Sequence, residues 1–442
     1  MPASLIIRDV TLIDGTGAPP VAGAAIAIEC GRIAAAGAGG VAVPEGAEVI
    51  DGRGLWAVPG LIDTHVHLEL VGREALPVFL ALGLTTIRDL GGAVDLLVEA
   101  QRSLEDGVVG PRLLFTGPMV DGDPPTLPTL VRPTSDPEAA ARAVQEHLDA
   151  GADAIKLYTT LPPESLRRCI QQVDGRVPVT GHLGRTLASE AMEAGINGLE
   201  HALLTPYNDF APDELRTAPG EVMMSPGFWQ KLNEGWLRAD LDSDRARRWI
   251  DLLVERDVSF CPTLTVGAGL EPDEEEFRHL PGLSKRQEER ARQRAAQSRQ
   301  AGRPPARPPA GLRERGGQVR AKLQELVGRV QRAGGRVVAG TDTGAVRSLV
   351  PGFSLHRELA LLSGAGLSNM EVLRAATARA AEALWRSDLG TIEAGKQADL
   401  LLLRRDPLEE IGALREIDRI VHDGRVIDPA ALLAKAREDG NG

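Results

Sequence analysis

The chain is poor in several residue types, and each shortage closes off a class of protein. Its 442 residues include three cysteines, Cys30, Cys169 and Cys261, with no close-spaced pair. A disulfide framework is therefore excluded, and a reducing, cytoplasmic compartment is expected. Aromatic residues are only 3% of the chain, too sparse for a stacking platform. No stretch approaches the roughly 18 uncharged apolar residues of a membrane-spanning helix, so no membrane is expected as a partner. The opening MPASLIIRDV lacks the basic-then-apolar order of a secretion signal. The balance of 50 Lys+Arg against 62 Asp+Glu gives a net charge of −12, which argues against nucleic acid as a partner. What remains is ordinary for a globular protein: 43% hydrophobic and 25% charged residues, on a chain long enough for a large core.

Both ends read as short strands broken by turns. Ser4–Arg8, Ala24–Glu29, Arg32–Ala36 and Glu48–Ile50 are strand-like, with turns at Asp14–Gly15, Cys30–Gly31 and Asp51–Gly52. Ala398–Leu403 and Ile417–His422 follow the same pattern, and Asp423–Gly424 marks a hairpin. Residues 1–58 and 390–442 are thus expected to build one small β domain, with residues 59–389 inserted between them.

The middle counts as eight β/α units. The expected strands are Leu61–His67, Leu84–Asp89, Arg112–Gly117, Ala154–Tyr158, Val177–His182, Gly198–His201, Val258–Leu264 and Arg336–Asp342. Helical stretches such as Pro137–Ala150, Pro163–Val173, Leu187–Ala194, Ser243–Arg256 and Gln318–Ala333 alternate with them. Eight repeats predict an α/β fold of the (β/α)8 barrel type. A doubly wound open sheet fits less well, because the chain has no GxGxxG or GxxxxGK[ST] turn. An acidic, Arg-rich and then Pro-rich segment at about 271–317 interrupts the alternation, and reads either as a lid or as a solvated decoration.

Ionisable residues gather at the strand ends. His65 and His67, in LIDTHVHLEL, are two apart and share one face of a strand, with Asp63 below them. His182 closes VPVTGH, His201 closes INGLEHA and Asp342 closes GRVVAGTD. Barrel enzymes build their sites at that end of the strands. A set of nitrogen and oxygen donors without thiolate suits Zn²⁺ or a similar divalent ion. Lys156, between Ile155 and Leu157, is costly to bury alone. It needs an acid partner, or reaction with CO2 to an anionic carbamate that can bridge two cations. Glu69, Arg88 and Asp89 are candidates to support the ligands, and His147, His279, His356 and His422 are expected to be structural.

Several stretches together resemble the metal-dependent amidohydrolase superfamily. They are VTLIDGTG, AIAIECGRIAAAG, VIDGRGLWAVPGLIDTHVHL, IKLY, TGH, LEHA, AGTDTG, LGTIEAGKQADLLLL and IVHDGRVI, and they span nearly the whole chain. The resemblance implies a distorted (β/α)8 barrel with a small β-sandwich domain from both termini. It implies two divalent metal ions, one held by His65, His67 and Asp342 and the other by His182 and His201. Lys156, as N6-carboxylysine, would bridge them. Family members often form dimers or larger closed rings, so the resemblance leaves the assembly open between a monomer and a homo-oligomer.

Within the superfamily the chain is similar to the binuclear, imidazolonepropionase-related branch that contains Xaa-Pro dipeptidases and other zinc carboxypeptidases. A true imidazolonepropionase is set aside, because that activity runs on one metal. The implied reaction is hydrolysis of a C–N amide bond in a dipeptide or N-acyl amino acid. Asp342 would be the catalytic proton carrier, and His182 would bind metal or assist the carbonyl. Arg88, Tyr158 and Arg185 would meet a substrate carboxylate. The alternatives are a lactone, carbamate or phosphotriester hydrolase, or a non-catalytic assembly subunit. The segment 271–317 and the stretch Leu203–Leu241 have no counterpart in the resemblance.

Overall fold

The computed structural model describes residues 5–39, 43–127, 129–217, 226–266, 312–346 and 349–439, with 41 and 289 besides. The expected lid at 271–317 lies outside the described residues, apart from 289 and the start of the helix Leu312–Arg332.

The eight expected barrel strands are all present in shorter form: Leu61–Val66, Leu84–Asp89, Arg112–Phe115, Ile155–Leu157, Val179–Gly181, Gly198–Glu200, Ser259–Cys261 and Arg336–Val337. Parallel pairing joins the first three into one sheet and the last five into another. Backbone hydrogen bonds carry the ring across both seams. The Asp153 amide donates to Phe115 O at 2.9 Å, and the Thr64 amide donates to Ala339 O at 3.1 Å. The architecture is a parallel sheet curled into a (β/α)8 barrel. Nearly every barrel-strand residue is buried on both faces, as a helix-covered parallel sheet requires.

The helices start and stop where the sequence supplies caps. The Ser243 hydroxyl accepts from the Ala246 amide and begins Asp244–Glu255, which buries Ala246, Trp249, Ile250 and Leu253 at helical spacing. Asp136 accepts from the Ala139 amide to begin Pro137–Asp149, with Pro137 in the first turn, where its missing N–H costs nothing.

The two ends of the chain form one mixed sheet of eight strands. Its spatial order is Arg425–Ile427, Ile417–His422, Leu400–Leu403, Trp56–Pro59, Leu5–Leu12, Val21–Glu29 and Arg32–Ala38, while Glu48–Asp51 also pairs with Leu5–Leu12. Trp56–Pro59 was not among the expected strands, yet it is the join. It pairs antiparallel with Leu400–Leu403 and parallel with Leu5–Leu12. The pairing is therefore continuous through one sheet. Ile7, Val10, Ile26, Ile28, Leu400, Leu402 and Val421 make a core separate from that of the barrel.

A second departure follows the third barrel strand. Met119–Gly122 and Val131–Thr134 pair in parallel, and Met119–Gly122 also pairs with Ile155–Leu157. Four-residue strands on either side of the proline-bearing stretch 123–127 leave little periodicity to read. Among the described residues, no helix is long and apolar enough to cross a membrane.

The structural histidines carry a pH prediction. Burial pushes His356 down from 6.5 to about 4, and its Nε2 lies 2.9 Å from Leu82 O. Between those two values the unfolded state takes up a proton that the folded state refuses, so stability is present above pH 6.5 and falls as the pH drops toward 4. The full contribution is of order 3 kcal/mol. Urea unfolding midpoints measured from pH 7 to pH 4.5 should fall less steeply in His356→Gln than in the parent protein. Equal slopes would remove His356 from the acid response.

Candidate metal centre

The six residues picked out as metal ligands all project from strand ends on one face of the barrel. His65 and His67 sit at the end of Leu61–Val66, Lys156 is central in Ile155–Leu157, and His182 directly follows Val179–Gly181. His201 follows Gly198–Glu200, and Asp342 lies beyond Arg336–Val337. All six are buried. In Ile155–Leu157 the alternation of a strand turns the two aliphatic residues one way and Lys156 the other. His201 and Asp342 leave their strands with φ of 66° and 60°, left-handed conformations uncommon for residues other than glycine.

These side chains converge. His67 Nε2 lies 2.9 Å and His65 Nε2 3.3 Å from Asp342 Oδ1, and His201 Nδ1 is 3.9 Å from Asp342 Oδ2. His65, His67 and Asp342 each offer one donor atom within 4.8 Å of the others. The rings of His182 and His201 are 4.3 Å apart at their centroids, and those of His65 and His201 are 4.7 Å apart. The charge of Lys156 acts on His65, His182 and His201 together.

Electrostatics sets His182, His201 and Asp342 in the forms a cation requires. Burial, reinforced by neighbouring cationic groups, holds His182 well below its ordinary value; burial takes His201 to about 3. Both are therefore neutral imidazoles. Burial pushes the Asp342 carboxyl up, but its neighbours, the charge of His65 first among them, outweigh it and hold the group well below the usual carboxylate range. Burial lowers Lys156 to about 8. His65 moves the other way: burial and Lys156 push it down, but Glu200 and Asp342 outweigh them.

The donor set passes the test of fit for divalent metal. His65 Nε2, His67 Nδ1, Lys156 Nζ, His182 Nε2 and Asp342 Oδ1 are buried with no hydrogen-bond partner. Asp342 Oδ1 is close to two imidazoles, but neither contact has hydrogen-bond alignment. Five such orphans in one place are far from the usual satisfaction of buried polar atoms. Bound cations would satisfy them, and buried nitrogen and carboxylate donors are the ligand types that divalent metals take.

The expected substrate contacts fall into different surroundings. Tyr158 is buried edge-on to His182, with ring centroids 4.9 Å apart, and burial pushes its phenol well up, so it stays neutral. Arg185 is exposed just past His182, and its amide donates to Thr159 O at 2.7 Å. Arg88 is buried: Nη2 pairs with Glu200 Oε1 at 3.0 Å, and Nε donates to Thr64 O at 2.8 Å. Asp89 accepts from the amides of Leu68 and Gly91 at 2.5 and 2.9 Å, which pins the turn after His67. Glu69 accepts from the Ala93 amide at 2.8 Å.

Glu200 was absent from the sequence-based set. Its Oε2 lies 2.8 Å from His65 Nδ1, and its Oε1 also accepts from Thr180 Oγ1 at 2.6 Å. Burial pushes this carboxyl up, but Lys156, His65 and Arg88 outweigh it and hold it well down. Thr263 was missed too; its Oγ1 lies 2.8 Å from His201 Nδ1. The signal for Glu200 was two polar residues in succession, Glu200 and His201, at the end of an apolar strand.

The chain matches the amidohydrolase family over residues 56–427, and it belongs to that family. Its classification is that of a metal-dependent amidohydrolase-type enzyme. Over 235 residues, 46% of each chain, it is 32% identical to N-acyl-D-aspartate deacylase of Alcaligenes xylosoxydans xylosoxydans. The chain spans under half the length of the curated relatives it matches. Among solved structures, a putative prolidase from Bifidobacterium longum aligns with a TM-score of 0.69 at 24% identity, over 99% of both chains. A Xaa-Pro dipeptidase with bound methionine aligns with a TM-score of 0.68 at 19% identity, over 96% of this chain and all of the other. At those identities the likeness is one of fold.

Close packing beneath the ligands gives a second prediction. A Cβ on Gly340 would lie 2.5 Å from Cys261 Sγ and 2.9 Å from both His65 Cβ and Thr64 Oγ1. Gly340→Ala should displace His65, lower bound metal after gel filtration, and cost about 1–3 kcal/mol in urea unfolding. Gly227→Ala, where a Cβ meets nothing within 4 Å, serves as the neutral control. Normal metal content in Gly340→Ala would show that the wall under His65 yields freely.

Proposed function

We propose that the chain hydrolyses C–N amide bonds of a dipeptide or N-acyl amino acid at a binuclear metal centre. The observation that carries this reading is the convergence of buried donor atoms without hydrogen-bond partners, in His65, His67, Lys156, His182 and Asp342. His65, His67 and Asp342 would hold one ion, and His182 and His201 the other. Lys156 Nζ makes no hydrogen bond to an acid, which favours the carbamate over the acid-partner reading. The neutral amine forms an N–C bond to CO2 and releases a proton to solvent, leaving an anion that can bridge two cations.

Two divalent ions, zinc by donor preference, would polarise the scissile carbonyl and bring a water's pKa close to neutral. The chain's own residues do the rest. Asp342, through the carboxylate oxygen not turned to the ion of His65 and His67, accepts a proton from the attacking water. It then passes that proton to the leaving nitrogen, which would otherwise depart as a poor anionic leaving group. His182, braced by the edge of Tyr158, supports the carbonyl oxygen. Tyr158 presents a neutral phenol to the substrate, and the exposed Arg185 takes its free carboxylate. The names of the relatives support the class: dipeptidase, prolidase and N-acyl-amino-acid deacylase each describe an amide with a carboxylate nearby.

Amine release should be measured across dipeptides and N-acyl-L- and N-acyl-D-amino acids, with Zn²⁺-loaded enzyme in bicarbonate and a chelated control. Chelator-sensitive release from a few members is expected. Silence across the panel from a protein holding two metals would reject the amide reading in favour of lactones, carbamates or phosphotriesters.

Two variants test the roles. Asp342→Asn should retain the fold and lose roughly 10²–10⁴-fold in kcat. Lys156→Ala should lose one or both ions per chain by elemental analysis, with partial recovery in short-chain carboxylic acids. Full activity and two ions in Lys156→Ala would reject the bridging role.

A further inference from the structure

We infer that Arg88 and Glu200 form a positioning pair that sets the tautomer and aim of His65, so that Arg88 does not read a substrate carboxylate. The inference rests on the metal-centre reading above. An ionised carboxylate can only accept hydrogen bonds. With Glu200 Oε2 2.8 Å away, His65 Nδ1 must carry the ring proton. In the neutral ring that a metal requires, the lone pair is then on Nε2, the atom buried without a hydrogen-bond partner and 3.3 Å from Asp342. Holding one ring nitrogen as a donor is how an outer partner readies the other nitrogen for a metal.

Arg88 fixes both parts of that arrangement with one rigid group. Its Nη2 binds Glu200 Oε1 at 3.0 Å, and its Nε binds the carbonyl of Thr64, the residue before His65, at 2.8 Å. The planar guanidinium thus ties the backbone that carries the imidazole to the carboxylate that orients it. A lysine has no such two-pronged reach. Thr180 Oγ1, at 2.6 Å, completes the shell around Oε1.

This saturation separates Glu200 from Asp342. Glu200 accepts three hydrogen bonds across its two oxygens, while Asp342 keeps an oxygen with none. A carboxylate so occupied is badly placed to move protons. It also keeps its partner: Arg88 is 4% exposed and Glu200 1%. A substrate carboxylate that captured Arg88 would leave a buried anion without its cation, a strongly unfavourable exchange.

The test measures zinc affinity by chelator competition, without substrate, for the parent protein, Arg88→Met, Glu200→Gln and the double variant. Each single variant should bind one ion roughly 10–100-fold more weakly. The double variant should be no weaker than the weaker single, because the two residues act as one unit. Circular dichroism of the metal-free proteins checks folding. If Arg88→Met does not fold, Arg88→Lys carries the same test, and it should stay weakened because it keeps the charge but not the geometry.

A kinetic measurement separates positioning from substrate reading. Arg88 variants should lower kcat and leave unchanged the ratio of KM values between a carboxylate substrate and its carboxamide counterpart. Parent-like zinc affinity in both single variants would overturn the pair, as would a KM increase confined to the carboxylate substrate. A parent protein that binds no zinc overturns both the pair and the metal-centre reading. Lost affinity in the variants, with no amide turnover in the parent, would leave the pair standing and remove only the proposed reaction.

Discussion

The site depends on a seam, and the seam is held at one carboxylate. Asp63 Oδ1 accepts from the amides of His65 and Thr341, both at 3.1 Å, and Oδ2 accepts from Thr341 Oγ1 at 2.7 Å. Asp63 lies on the first strand of the barrel and Thr341 on the segment that follows the last. His65 and His67 stand on one side of this join and Asp342 on the other, so the three come together only because the ring is closed there. Burial raises Asp63 to about 7, above its ordinary value even after its hydrogen bonds are counted. The closure therefore uses a costly group where an apolar contact would have been cheaper to bury. What the carboxylate adds is direction, since it fixes backbone amides on both sides of the join at once.

The same exchange of stability for geometry recurs through the barrel mouth. Left-handed backbone at His201 and Asp342 and five unpartnered polar atoms, the Lys156 amine among them, each work against folding. They are tolerated because the surroundings over-determine them. Glu358, itself buried and raised to about 7, accepts the amides of Leu264 and Thr265 at 2.9 and 2.8 Å. That fixes the loop from which Thr263 reaches His201. Asp89 does the same for the turn after His67. Local rules of propensity and satisfaction fail here together, and such joint failure is characteristic of a working site in an otherwise consistent fold.

The sequence was most legible where alternation and strand ends coincide. Six of the eight expected strands are short apolar runs that stop at Gly, His or Asp, and all eight expected positions agree with the observed strands to within a few residues. Trp56–Pro59 was harder to see, because its role comes from pairing with Leu400–Leu403, more than 300 residues away. Glu200 was missed for a geometric reason. A strand that ran on through His201 would place the histidine and Glu200 on opposite faces. The chain instead turns left-handed at His201, with φ 66°, and both side chains enter the barrel. Spacing announces a period, but the residue at which the period breaks is set by tertiary closure.

This division also explains why chemistry was easier to read than substrate. The ligands lie on strands or just past their ends, and strands obey a two-residue period visible in any window of a few residues. Substrate recognition in barrel enzymes belongs to the loops after the strands, whose conformations follow no period. Arg88 and Arg185 illustrate the difference. Both looked like carboxylate partners at strand ends, yet Arg88 is enclosed on its strand and committed to Glu200, whereas Arg185 lies just past its strand and stays exposed. Arg88 sits one residue before its strand ends and Arg185 four residues beyond its own, and that placement separates a buried, paired guanidinium from an exposed one.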